Sequence, residues 1–187
     1  EERITEDELN ARLSKPALDV LASKVQVGLW YPLEAYREML DLYWDLFGHG
    51  RPEFMRNEGE RAARELVAHG VYRAFTSDGG GPASADAVVR RARLTCKMTE
   101  MIYDFVELDV EYDREAHALT LVYSNVACFS EAMIHGTHGF LHGLTWILSG
   151  MDVPETGVDC WRVVRASEDS IRFTLDLFSL VPRAPVG

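Results

Sequence analysis

Four residues able to bind a metal or carry a proton recur on one short stretch: Glu131, His135, His138 and His142. At about 100° per residue they fall within about 60° of arc on a helix. Residues four apart, such as Glu131 with His135 or His138 with His142, lie one turn apart and could share one ion. A divalent metal on this stripe is therefore one candidate cofactor. A single straight helix, however, offers only about two or three ligands to one point, and zinc needs about three or four. The plainer expectation is a solvated or interfacial row of imidazoles. The HxxHxxxH spacing also differs from HExxH, so a metalloprotease is not expected.

Other chemistry-bearing groups are less organised. Cys96, Cys128 and Cys160 show no CxxC spacing and no nucleophile signature, and GxSxG is absent. Cys128 stands just before the histidine-bearing stretch and could gain thiolate character from a helix N-terminus. Packing as a small buried hydrophobe is the simpler expectation for it. SDGGGPAS is glycine-rich, but no strand precedes it and no Lys-Ser/Thr follows, so it reads as a linker and not a phosphate loop. The acids Glu107, Asp109 and Glu111 alternate with apolar residues, the pattern of a wet strand face. No catalytic residue is assigned; the expectation is a non-enzymatic protein, with a metal-dependent sensor or enzyme built on the histidine stripe and a structural assembly subunit as the alternatives.

Composition narrows the partners. The 187 residues carry a formal net charge of −11 and are 47% hydrophobic, enough for a sizeable core. The acidic balance argues against nucleic acid and against docking on an anionic membrane. The one dense basic patch, Arg90, Arg91, Arg93 and Lys97, reads as a solvated face. No apolar run reaches the roughly 18 residues of a membrane span. The opening EERITEDELN lacks the features of a signal peptide, and a reducing cytoplasm is the expected compartment.

The elements that must position these residues follow from periodicity. Residues 129–149, FSEAMIHGTHGFLHGLTWILS, form an amphipathic helix with three stripes. Phe129, Met133, Phe140, Leu144 and Ile147 face the core. Ala132, Gly136, Gly139 and Gly143 form a small stripe, and the polar stripe lies beyond it. Each interior glycine costs about 1 kcal/mol relative to alanine, so three of them imply that another backbone, or a ligand, comes close. Upstream, Thr5 with Glu8 predicts a capped helix over 5–13, and Ser14-Lys15-Pro16 opens a second that ends near Gly28. Tyr31-Pro32 opens a third, ended by Gly48. Residues 54–75 are helical, with Gly59 and Gly70 read as interruptions of two helices joined by a bend. Another helix spans about 83–102. Two strands over 105–123 form a hairpin, and two more follow the last helix. The order β-β-α-β-β after several helices predicts an α+β fold, a four-stranded antiparallel sheet with helices mainly on one face. The expected organisation is a helical extension over 1–27, one α+β domain over 28–180 and a tail over 181–187.

Tyr31-Pro32 with its helix, NEGERAARELV over 57–67, the hairpin FVELDVEYDREAHALTLVY, and GFLHG followed by two strands together resemble a known superfamily. It contains the 4-vinyl-reductase-like domains, the TRAPP tethering subunits and the haem-nitric-oxide-binding-like domains. The nearest resemblance is to a family of unknown function abundant in myxobacteria, and it covers about residues 28–178. The resemblance implies a bacterial sensory or regulatory domain with an apolar cavity beside its central helices. The ligand would be a small apolar molecule, or the partner a protein, with homodimerisation as one form. Trp44, Phe47, Phe129, Met133, Phe140 and Trp146 would wall the cavity, and Gly136, Gly139 and Gly143 would make room. The haem-binding branch carries Tyr-x-Ser-x-Arg, which is absent here, so haem is not expected. Cys160 matches the first of the paired cysteines of the 4-vinyl-reductase-like domains, but Ser170 stands near the second.

Overall fold

The computed structural model describes residues 4–23, 31–71, 84–149 and 159–177. Helix α1, Glu6–Arg12, starts at a capping box in which Thr5 and Glu8 satisfy each other's backbone N–H groups. Helix α2, Lys15–Ala22, is capped by Ser14 and has Pro16 in its first turn. It stops at Ala22, short of the expected Gly28; residues 24–30 lie outside the described residues, as do the linker over 77–83 and the tail. Helix α3, Leu33–Tyr43, runs into a π-helical turn over Trp44–Gly48. Helix α4, Pro52–Ala68, begins at a proline, and Gly70 with φ +81° lies just beyond its end. Helix α5 spans Ala85–Ile102 and helix α6 spans Glu131–Ser149.

Strands β1 (Glu107–Asp113), β2 (Ala118–Ser124), β3 (Trp161–Ser167) and β4 (Ser170–Asp176) form one antiparallel sheet in the order β1-β2-β4-β3. Alternation sets its two faces, interrupted only where the β3–β4 register shifts between Arg165 and Ser167. On one face the register lines up Tyr112, Leu119, Leu175 and Trp161 in a row, and Val110, Leu121, Phe173 and Val163 in the next. Phe173, Leu119, Ile171 and Leu175 are almost wholly buried there, under α5 and α6. The other face is polar: Glu111 pairs with Arg172, and the Thr120 and Thr174 hydroxyls meet at 3.1 Å. The expected α+β architecture is the one observed.

The expected break at Gly59 is not there; α4 runs straight through it. The glycine serves the crossing with α6. A Cβ on Gly59 would lie 2.1 Å from the Gly136 carbonyl oxygen, and one on Gly139 would lie 1.9 Å from that of Arg56. A Cβ on Gly143 would sit 3.1 Å from Glu60 Cα. What approaches the small stripe is therefore the α4 backbone, and no ligand has room at Gly139. Two helices this close gain dispersion along both backbones, which offsets the propensity cost of the glycines.

Gly139→Ala should destabilise the protein towards the upper end of the roughly 1–3 kcal/mol that overpacking costs. Gly136→Ala should be neutral or stabilising by up to about 1 kcal/mol, since its Cβ would meet only Met55 Cε at 3.8 Å. Urea unfolding of the two variants checks the contrast; equal effects would contradict the crossing geometry.

Candidate functional site

The crossing of α4 and α6 decides where the histidines go. His138 and His142 are buried at 4% and 6% exposure, so the row is a packed interface and not a solvated stripe. The Trp146 indole N–H donates to His142 Nε2 at 3.0 Å, and His142 Nδ1 lies 2.9 Å from Glu60 Oε1 on α4. An indole nitrogen can only donate, so Nε2 accepts and the ring proton on Nδ1 is given to Glu60. His138 Nε2 lies 2.8 Å from Asp159 Oδ1, and Asp159 Oδ2 lies 3.5 Å from Arg56. Asp159 Oδ1, the oxygen facing His138, also accepts from the Trp161 backbone N–H, which ties the start of β3 to α6.

His135 sits apart, edge-on to Trp44 with ring centres 5.8 Å apart, and only 3.8 Å from the exposed Glu131. Among the described residues no three His, Cys, Asp or Glu side chains converge on a point that could hold a metal. Of the four residues Glu131, His135, His138 and His142, His135 keeps Glu131 as its carboxylate neighbour, while His138 and His142 each turn to a different carboxylate outside α6. The distances along α6 were compatible with a site, but the ring nitrogens point to different partners.

The residues expected to wall a cavity are also dispersed. Trp44 donates its indole N–H to the Arg51 carbonyl, and Phe47 is half exposed, its ring tilted against that of Tyr43 with centres 5.2 Å apart. Phe129 and Met133 are packed in the main core, Phe129 against Phe105. Phe140 packs with Ala63 and Leu144 against α4, and Trp146 is held by His142. Gly136, Gly139 and Gly143 lie along the α4 crossing. None of these residues lines the apolar cavity that the fold contains.

That cavity, about 70 Å³, lies between α5, the inner sheet face and α6. Val88, Ala92 and Cys96 wall it from α5, Leu119, Leu121 and Trp161 from the sheet, and Leu141, Leu144 and Thr145 from α6. The Trp161 indole donates to Thr145 Oγ1 at 3.1 Å, closing one side. Burial pushes the Cys96 thiol up to about 12, so it stays protonated. A larger crevice of about 440 Å³ between α1, α3 and the start of α6 includes Cys128. It is open and lined by charges of both signs, and its Arg12 and Glu38 are already bound to Asp45 and the Ser14 N–H. The apolar space under α5 is the better candidate for a ligand, because its lining is mostly leucine, valine and aromatic carbon. Its α5 wall, at 88, 92, 95, 96 and 99, follows helical spacing, but nothing in that face distinguishes a filled core from a void.

Burial holds His138 below its ordinary value, outweighing the opposing pull of Asp159, and burial with the nearby Arg56 does the same to His135. The unfolded chain therefore takes up protons first on acidification. This contribution to stability is complete above about pH 7 and is lost as pH falls through 6.5, the unfolded value, towards the lower folded ones. The melting temperature should drop between pH 7.5 and 5.5, and His135→Gln with His138→Gln should flatten that slope. An unchanged slope in the double variant would show that other groups set it.

No family model matches the chain, and no curated protein matches it. Among solved structures, the crystal structure of a mutant Fe(II) unliganded H-NOX protein from K. algicida aligns with a TM-score of 0.52. The alignment has 14% identity and covers 91% of this chain and 90% of that one. What the two proteins share at that identity is the fold: the present chain has the H-NOX-like α+β architecture of helices on one face of a four-stranded antiparallel sheet.

Proposed function

We propose that this protein is a non-catalytic sensory or regulatory domain that binds a small apolar ligand between α5, the sheet and α6. The observation that carries the reading is the cavity of about 70 Å³, walled by leucines and Trp161 at the junction of three elements. Such a place lets occupancy bias how a helix packs on the sheet, which is how a bound molecule becomes a signal. The H-NOX-like fold is consistent with a ligand-binding module.

The cavity does not fit a haem. It is far below the roughly 300–1,000 Å³ of ordinary ligand pockets, and no histidine lines it. Its sulfur donor, Cys96, would have to lose a proton that burial holds up to about 12. The missing Tyr-x-Ser-x-Arg points the same way.

Xenon tests the reading, because it enters dry apolar cavities without polar contacts. Methyl resonances of Leu119, Leu121 and Leu141 should shift with xenon pressure, and Ala92→Leu, which fills the space, should abolish the shift while the protein still melts cooperatively. Resonances that ignore xenon in the wild type would remove the cavity as a binding site.

A second reading, a protein partner or a second copy, is favoured by the outer side of α5. Met101 is 80% exposed and Leu94, two turns away on the same side, is 45% exposed. If that side is an interface, sedimentation should show an oligomer that Leu94→Glu with Met101→Glu dissociates; a monomer in both would discard the self-association form.

A further inference from the structure

We propose, resting on the reading of this cavity as a binding site, that its ligand is a compact uncharged molecule with one hydrogen-bonding group, a short alcohol or ketone, and that Thr95 selects for that group. Three threonines line the cavity. Two spend their hydroxyls on their own helix: Thr99 Oγ1 donates to the Thr95 carbonyl at 3.0 Å, and Thr145 Oγ1 to the Leu141 carbonyl at 2.7 Å while accepting from Trp161. This back-bonding is the usual resort of a helical threonine. Thr95 does not use it, and its hydroxyl has no partner among the described residues. A half-buried hydroxyl beside an apolar space either stays wet or meets a polar atom of an occupant. A hydroxyl can donate and accept, so it suits a carbonyl or an alcohol equally.

The remaining lining argues against charge. Arg91 is the sole charged residue in the wall and is already engaged. An ion entering would lose its hydration among Leu119, Leu121 and Leu144 with no unpaired countercharge to meet it. The net charge of −11 disfavours anions further. The protonated Cys96 thiol next to Thr95 adds a soft apolar surface and no nucleophile.

Size sets the rest. A cavity of about 150 Å³ takes benzene, so 70 Å³ takes a body of roughly three or four non-hydrogen atoms. At the best efficiency per atom, such a ligand binds no tighter than tens of micromolar. The inferred ligand is therefore one present at high concentration, sensed by abundance.

Acetone, 2-propanol and acetate have equal numbers of non-hydrogen atoms and make a matched set of probes. Followed by the leucine methyl resonances, acetone and 2-propanol should bind the wild type and acetate should not. Thr95→Val should weaken both by about 5- to 10-fold, the scale of one neutral hydrogen bond, and leave xenon uptake unchanged. Thr95→Ser should restore binding, which separates the hydroxyl from any packing effect. Acetate binding as well as acetone, xenon entering where neither organic probe does, or Thr95→Val binding both normally would each overturn this ligand class while leaving the cavity as a site. Failure of every probe including xenon would overturn both.

Discussion

The contact on which the architecture turns is the passage of the α4 backbone over α6. Helices in proteins commonly stay about 8–10 Å apart because side chains hold them off. Here Gly59, Gly139 and Gly143 remove those side chains where the two backbones meet. The close approach lets Glu60 reach His142 across 82 residues of sequence, and brings Arg56 within range of Asp159. If the helices stood farther apart, the buried His142 N–H would lose its acceptor, at a cost of about 1–3 kcal/mol. The apolar close contact and the polar pairs therefore support each other.

Those polar pairs also fix register. His142 and His138 each hold a carboxylate on a different element: Glu60 on α4 for His142, and Asp159 at the entry to β3 for His138. Apolar side chains tolerate sliding, whereas a buried donor tolerates it poorly, because every shifted position leaves it unpaired. The histidines thus locate α6 along α4 and along the sheet. Trp161, two residues after Asp159, inherits that placement and closes the cavity through Thr145.

How much of this could be read from the residues differs by element. The hairpins were legible, since Leu108, Val110 and Tyr112 alternate with three acids and only a sheet with one wet face suits that order. The caps at Thr5 and Ser14 were legible because their partners lie three residues away. The glycines announced a close approach, but a sequence cannot say whether a helix or a ligand arrives, and the answer was α4. The histidines share the face read for them, and His135 lies beside Glu131 as its spacing suggests; the carboxylates that take His142 and His138 were not legible, because they lie 82 and 21 residues distant and carry no local signature. The cavity was not legible at all: its leucines are the same residue type that fills the rest of the core, and a void is a property of packing.

The apolar interior is divided in a way that bears on how the molecule breathes. Leu13, Ala17, Ala35 and Leu42 bury one another in a cluster separate from the one under the sheet. Polar ties back this up, with the Ser14 N–H on Glu38 and Arg12 on Asp45, both partners belonging to α3 and its π-helical turn. The first two helices can therefore detach as a unit and leave the sheet with α5 and α6 intact, a partial opening far less costly than global unfolding. Amide protons of α1 and α2 would exchange through that route, on a clock independent of the main core.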